Sequence, residues 1–234
     1  MKRNQTAARV SQRGLIKQAL IASAIAFAIA ATAPSIVRAQ NAAAQPAAAA
    51  TQGQPSQLVL ANATRIIATL EKNRAQYMKD RPALDKFVAT EFNQMFDRTY
   101  AAQLVLGRHG RGAPAADVKL FADALSDSLM SRYGQALLSF DKGLKVRVTS
   151  EESIRGGAIV RVKSEFIRAN GQSTPVDYLM RKTGANWQVF DVLVEGVSFV
   201  QTFRQQFDAP LQAKGIKQVA ADLRDGKMQA QANQ

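Results

Sequence analysis

Residues 176–203, VDYLMRKTGANWQVFDVLVEGVSFVQTF, hold two strands, two turns and the start of a helix. Val176, Tyr178 and Met180 alternate with Asp177 and Arg181, the period-2 pattern of a strand with one apolar face. Thr183-Gly184-Ala185-Asn186 is rich in turn formers and separates this strand from the next. In WQVFDVLV, residues 187–194, apolar residues fall on both faces, which predicts a central or doubly covered strand. Glu195-Gly196 makes a corner, after which Ser198 is placed to cap a helix carrying Val200, Phe203, Phe207 and Leu211. Asp191 and Glu195, beside the Gly196 turn, are read as stabilising the corner by capping and dipole interactions rather than as an acid–base pair.

The same alternation extends upstream. Leu144, Val146 and Val148 alternate with Lys145, Arg147 and Thr149; Val160, Val162 and Phe166 alternate with Arg161, Lys163 and Glu165. Gly156-Gly157 and Asn170-Gly171 supply the connecting hairpins, because residues at such turns must adopt positive φ. Four antiparallel strands in a meander are therefore expected, followed by two C-terminal helices, the second carrying Ile216, Val219 and Leu223. Ahead of the strands the period is that of helices. Ser56 is expected to cap a segment with Val59, Ile66, Ile67 and Leu70; Pro82 fits the first turn of a second helix; Phe92, Phe96, Tyr100 and Leu104 follow at i+4 spacing. Pro114 opens a long amphipathic helix with the stripe Phe121, Leu125, Leu129, Tyr133 and Leu137. Helices segregated from an antiparallel sheet make the class α+β: a four-stranded antiparallel twisted sheet with an N-terminal helical half and two C-terminal helices.

The N-terminus is of another kind. Residues 1–17 carry Lys2, Arg3, Arg9, Arg13 and Lys17 with no acid, and residues 19–33, ALIASAIAFAIAATA, are apolar or small. This is the basic region and short apolar core of a secretory leader, too short for a membrane span of about 20 residues. Val37-Arg38-Ala39 is the better cleavage site, so residues 1–39 are expected to be a signal peptide and the mature chain to begin at Gln40 in the periplasm. Residues 40–55, rich in Ala, Gln and Pro, read as a flexible linker; 56–227 as one domain; 228–234 as a fraying tail. Six of the basic residues behind the formal charge of +13 lie in the leader, leaving +7 on the mature chain, a charge that favours encounter with anionic surfaces or acidic partners. The absence of Cys excludes disulfides, thiol catalysis and thiolate metal sites, and the single histidine, His109, excludes a multi-histidine centre. No cofactor or metal is called for. Export, and the lack of a clustered basic–aromatic module, argue against nucleic acid as a partner.

Four segments carry a family resemblance: FNQMFDRTYAAQLVLGRHGRGAP (92–114), LMSRYGQALLSF (129–140), VDYLMRKTGANWQVFDVLVEGVSFVQTFRQQF (176–207) and LQAKGIKQVAADL (211–223). Over roughly Phe87 to Leu223 the chain resembles the MlaC family, the periplasmic phospholipid-binding components of the Mla system, also called toluene- or organic-solvent-tolerance proteins. It departs from the family at Gly110, where an aromatic residue is common, and at Asn93, where Asp is common. The resemblance implies a monomeric soluble carrier, not an enzyme. Such a carrier buries phospholipid acyl chains between sheet and helices, and exchanges lipid with an outer-membrane lipoprotein complex and an inner-membrane ABC transporter complex. A hopanoid-associated branch of the family shares these strings, and a small isomerase or hydratase with a cone-shaped pocket is the alternative from another class.

On this reading the cavity residues are Phe96 and Tyr100 from the i+4 series and Leu125, Leu129 and Tyr133 from the long helix, with Phe199 and Phe203 after the corner. The strands add Val148, Val160, Val162, Phe166, Val176, Tyr178 and Met180. Each also has an ordinary reading as packed core. The loop Gly107–Gly112, with three glycines, two arginines and His109, has the composition of a phosphate loop, and its plainer reading is a solvated helix connection.

Overall fold

Alternating side chains and tight turns produce a meander in sequence order, β1 (Lys145–Ile154), β2 (Ile159–Ile167), β3 (Ser173–Thr183), β4 (Asn186–Val194) and β5 (Val197–Ser198). The computed structural model describes residues 54–140 and 142–231; the expected signal peptide, all but the last residues of the linker, and 232–234 lie outside the described residues. All neighbouring strands are antiparallel. Val160 stands opposite Met180, and Val162 opposite Tyr178, so the apolar faces of β2 and β3 coincide. The expected four strands gain a fifth because the corner is itself a hairpin. Glu195 (φ 52°) and Gly196 (φ 82°) both take the left-handed conformation, and the chain folds straight back to pair Val197 with Val194.

Helix α1 (Pro55–Lys79) lies over β1 and β2 and buries Val59, Ala63, Ile66 and Leu70. Its start differs from expectation. Gln54 occupies the cap position without a side-chain bond, Pro55 takes the first turn, and the Ser56 amide instead donates to the Glu151 carboxylate of β1 at 2.8 Å. Helix α2 (Arg81–Met95) has Pro82 in its first turn and the Asp80 side chain as cap. The series Phe92, Phe96, Tyr100 and Leu104 is not one helix. At Phe96 the chain turns extended and bridges to Val189, with the Asp97 amide donating to the Val189 carbonyl at 2.8 Å. Asp97 then caps α3 (Arg98–Leu106) by accepting from the Tyr100 amide. An aspartate whose carboxylate can start a new helix, and which Arg181 also holds at 2.7 Å, makes the break cheaper than continuing.

Gly107–Gly110 forms a turn of 3-10 helix, and α4 (Ala115–Tyr133) follows Pro114. Leu137 lies beyond α4, in a separate 3-10 turn, and is buried. Helix α5 (Phe199–Arg224) holds both expected C-terminal helices, joined at Gly215, whose φ of 72° breaks the helical path. The tail expected to fray from Met228 is docked over its described part. Ala230 is buried and donates to Ser128 Oγ, while the Gln206 side chain donates to the Gln229 carbonyl and accepts from the Gln231 amide. One glutamine amide thus satisfies backbone groups on both sides of a short segment whose small apolar residue fills a core site.

Helices α1 and α2 are joined by a buried ion pair. Glu91, 2% exposed, accepts from Arg65 at 2.8 and 3.2 Å. Burial outweighs the attraction of Arg65 and pushes the Glu91 carboxyl up to about 7. Because its folded value is raised, the native state binds more protons than the unfolded chain between roughly pH 4.5 and pH 7. Glu91 therefore contributes stability that is full below this window and falls as pH rises through it, by at most about 1.4 kcal/mol per pH unit for one proton. Thermal midpoints measured from pH 5 to pH 8 should fall more steeply in the parent protein than in Glu91→Gln; equal slopes would show that this carboxyl is not the titrating group.

Candidate functional site

The site begins with an irregularity in β4. Leu179 stands opposite Asp191 and Met180 opposite Val189, so Phe190 is an extra residue with no partner across the ladder. A bulge re-aims the side chains around it. Here it turns Phe190, Asp191 and Val192 together toward the space under α3, α4 and the first turns of α5. That space is an apolar cleft of about 560 Å³ including its mouth. Ala101, Ala102 and Val105 of α3 form one wall, Ala122, Leu125 and Leu129 of α4 a second, and Phe199, Val200 and Phe203 of α5 a third. Phe92 and Phe96, stacked at 4.4 Å, stand at one end. The three alanines are too short to fill the gap between α3 and α4.

Three polar side chains enter the lining, and each is engaged. Asp191, 6% exposed, accepts from the Val200 amide at 3.0 Å and from Ser198 Oγ at 2.6 Å, and Ser198 in turn caps α5 through the Gln201 amide. Burial raises the Asp191 carboxyl above its ordinary value, against these hydrogen bonds. Ser126 donates to the Ala122 carbonyl and accepts from Arg98 Nε. Arg98 also donates to Asn93 Oδ1 and pairs with Asp123 at 2.6 Å. Among the described residues no group of three or more His, Asp or Glu is placed to hold a metal ion.

Of the residues expected at a cavity, Phe96, Leu125, Leu129, Phe199 and Phe203 line the cleft. Tyr100 stands behind it, edge-on to Phe190 at 5.2 Å. Tyr133 is buried at the far end of α4, outside the lining. Val160, Val162, Phe166, Val176, Tyr178 and Met180 are buried within the main core, and Val148 packs half-buried against it; none of these seven lines the cleft. The reason is positional: α1 covers the β1–β2 half of the sheet, and the open space lies beside β4. Phe190, Asp191, Arg98, Ser126 and the three alanines were not singled out as lining. One usable signal was an aspartate flanked by Phe190 and Val192 in an otherwise apolar strand; short alanines on helices carry no such signal.

The Gly107–Gly112 loop lies apart from this lining. His109 Nε2 is 3.0 Å from Asp208 Oδ1, and Arg108 pairs with the other oxygen of the same carboxylate at 2.9 Å. A side chain at Gly107 would meet Arg204 Nε at 2.9 Å, so glycine permits the loop's close approach to α5. Among the described residues no helix is long and apolar enough to cross a membrane.

A family model described as MlaC protein matches residues 61–225, from within α1 to the end of α5. Toluene tolerance protein ttg2D of Pseudomonas putida is 25% identical over 163 residues, which is 69% of this chain and 74% of that protein. A solved structure of the phospholipid-binding protein from Ralstonia solanacearum, in complex with a phospholipid, shares the fold with a TM-score of 0.60 at 19% identity, covering 68% of this chain and 90% of the other.

Proposed function

The chain belongs to the MlaC family, and from that premise we propose that it is a periplasmic phospholipid carrier whose cleft holds acyl chain. It moves lipid between an outer-membrane lipoprotein complex and an inner-membrane ABC transporter complex, and does so as a monomer. The observation that carries this reading is the cleft itself: a partly open, largely apolar space between β4 and the helices, lined by Phe, Leu, Val and Ala side chains with only three polar ones among them. The Ralstonia protein of the same fold was solved with a phospholipid, and the Pseudomonas relative is named for toluene tolerance; both agree with it.

The energetics suit a carrier. Removing a CH₂ from water is worth about 0.8 kcal/mol, so a chain of about 16 carbons gains at most on the order of 12 kcal/mol when fully buried, and proportionately less for the part the cleft covers. A bilayer buries the same chain equally well, so exchange with a membrane is nearly balanced. Direction must then come from differential affinity at the docking partners. Protein purified from the periplasm and analysed by native mass spectrometry should carry phospholipid, and extraction should identify it. An empty cleft combined with turnover of a small ketone or alkene would replace the carrier with an enzyme.

A further inference from the structure

The apolar cleft does not end at bare solvent. It shares Phe96, Arg98 and Ala122 with a second, solvent-open groove of mixed character, about 300 Å³, whose other walls include Asp97, Thr99, Lys119 and Asp123. Arg98 therefore stands where the apolar and polar spaces meet.

The charges there are unbalanced. Asp97 is taken up by Arg181 and by the Tyr100 amide. Asp123 is taken up by Arg98 at 2.6 Å and Lys119 at 2.7 Å, and Arg224 also acts on it; against the upward push of burial, these cations hold its carboxyl below the ordinary range. The groove's lining holds Arg98 and Lys119 along with Asp97 and Asp123, and Arg181, bonded to Asp97 from outside the lining, adds a third cation to the two carboxylates. The donors are not used up. Arg98 spends three N–H groups on Ser126, Asn93 and Asp123 out of a guanidinium's five, and Lys119, 73% exposed, gives one bond to Asp123 out of an ammonium's three. An ammonium-bearing head would find both carboxylates already occupied, whereas a phosphodiester would find spare N–H donors and excess positive charge.

We propose that this groove seats the phosphate of the bound lipid through Arg98 and Lys119, and that it selects glycerophospholipids with a net negative head over those carrying an amine. The proposal rests on the carrier reading, because it needs an acyl chain in the adjoining cleft.

The test loads the purified full chain from vesicles containing equal phosphatidylglycerol and phosphatidylethanolamine, then quantifies the bound lipids by mass spectrometry. The parent protein should be enriched in phosphatidylglycerol relative to the vesicles. Lys119→Glu, at an exposed position, should lower the phosphatidylglycerol enrichment about threefold or more, the scale of a few exposed charge interactions, whatever its effect on total occupancy. High salt should lower it in the parent protein as well. Arg98→Gln should act in the same direction, with Lys119→Glu deciding the matter if that variant folds poorly. Bound lipid in the vesicle ratio, or enrichment unchanged in Lys119→Glu, would overturn the headgroup seat and leave the carrier intact. No lipid of either class on the parent protein would overturn both.

Discussion

Leu129→Trp should strip lipid from the protein while leaving the lipid-free fold nearly as stable as before, and Val162→Trp should do the reverse. Both are buried leucine or valine positions on an apolar face, yet their surroundings differ. Leu129 lines the cleft, where an indole can extend into space that is otherwise empty. Val162 is fully buried, opposite an equally buried Tyr178, and is not among the residues that line the cleft. Overpacking a filled site costs about 1–3 kcal/mol or more. For a domain of this size that is a drop of about 2–12 °C in thermal midpoint. The measurements are lipid per chain by mass spectrometry and the thermal midpoint of delipidated protein. Lipid retained in Leu129→Trp together with a large loss of stability would mean that the cleft is not where lipid sits.

Asp191→Ala should be among the most destabilising single changes near the cleft. Its carboxylate holds the first turn of α5 by two bonds, to the Val200 amide and to Ser198 Oγ. Losing a helix cap costs about 0.5–2 kcal/mol, and leaving buried partners unsatisfied adds about 1–3 kcal/mol. A total of about 1.5–5 kcal/mol is expected, with lipid retention falling too, because Phe199, Val200 and Phe203 form the wall that these bonds position. Asp191→Asn keeps one acceptor and should lose less. It also tests the pH dependence. Burial raises the Asp191 carboxyl, so the native state takes up its proton more readily than the unfolded chain, and the Asp191 contribution to stability declines as pH rises through the raised value. Asp191→Asn should remove that decline. A thermal midpoint for Asp191→Ala within a degree of the parent would show that α5 is anchored by its packing and not by this carboxylate.

Much of the fold could be read before any coordinates. The alternation in 144–148, 160–166 and 176–180, together with Asn170-Gly171 and the 183–186 turn, predicts β1 to β4 in their observed order. Ser198 as the cap of α5 and Pro82 in the first turn of α2 were equally legible. These signals work because they are local: a side chain's face follows from its position along a strand or helix, and a turn follows from the φ its residues tolerate. The i+4 series through Phe96 misled for a related reason. Periodicity continues across Asp97, but the Asp97 carboxylate and its partner Arg181, 84 residues later, interrupt the helix.

The cleft belongs to the other class of information. Inward-facing Val162 and Tyr178 carry the same pattern signal as inward-facing Leu125 and Leu129, yet the first pair is packed and the second borders empty space. A cavity is defined by what fails to fill it, and that depends on where whole elements come to rest: α1 over β1 and β2, a bulge at Phe190, and alanines between α3 and α4. The two cations that line the adjoining groove are likewise apart in the chain, with Arg98 on α3 and Lys119 on α4. The amino-acid sequence by itself thus determined the strands, the turns, the helix stripes and the family resemblance. Only the tertiary structure decided which apolar residues border the cleft and which polar side chains stand beside it, because both arise from non-local packing that no periodicity records.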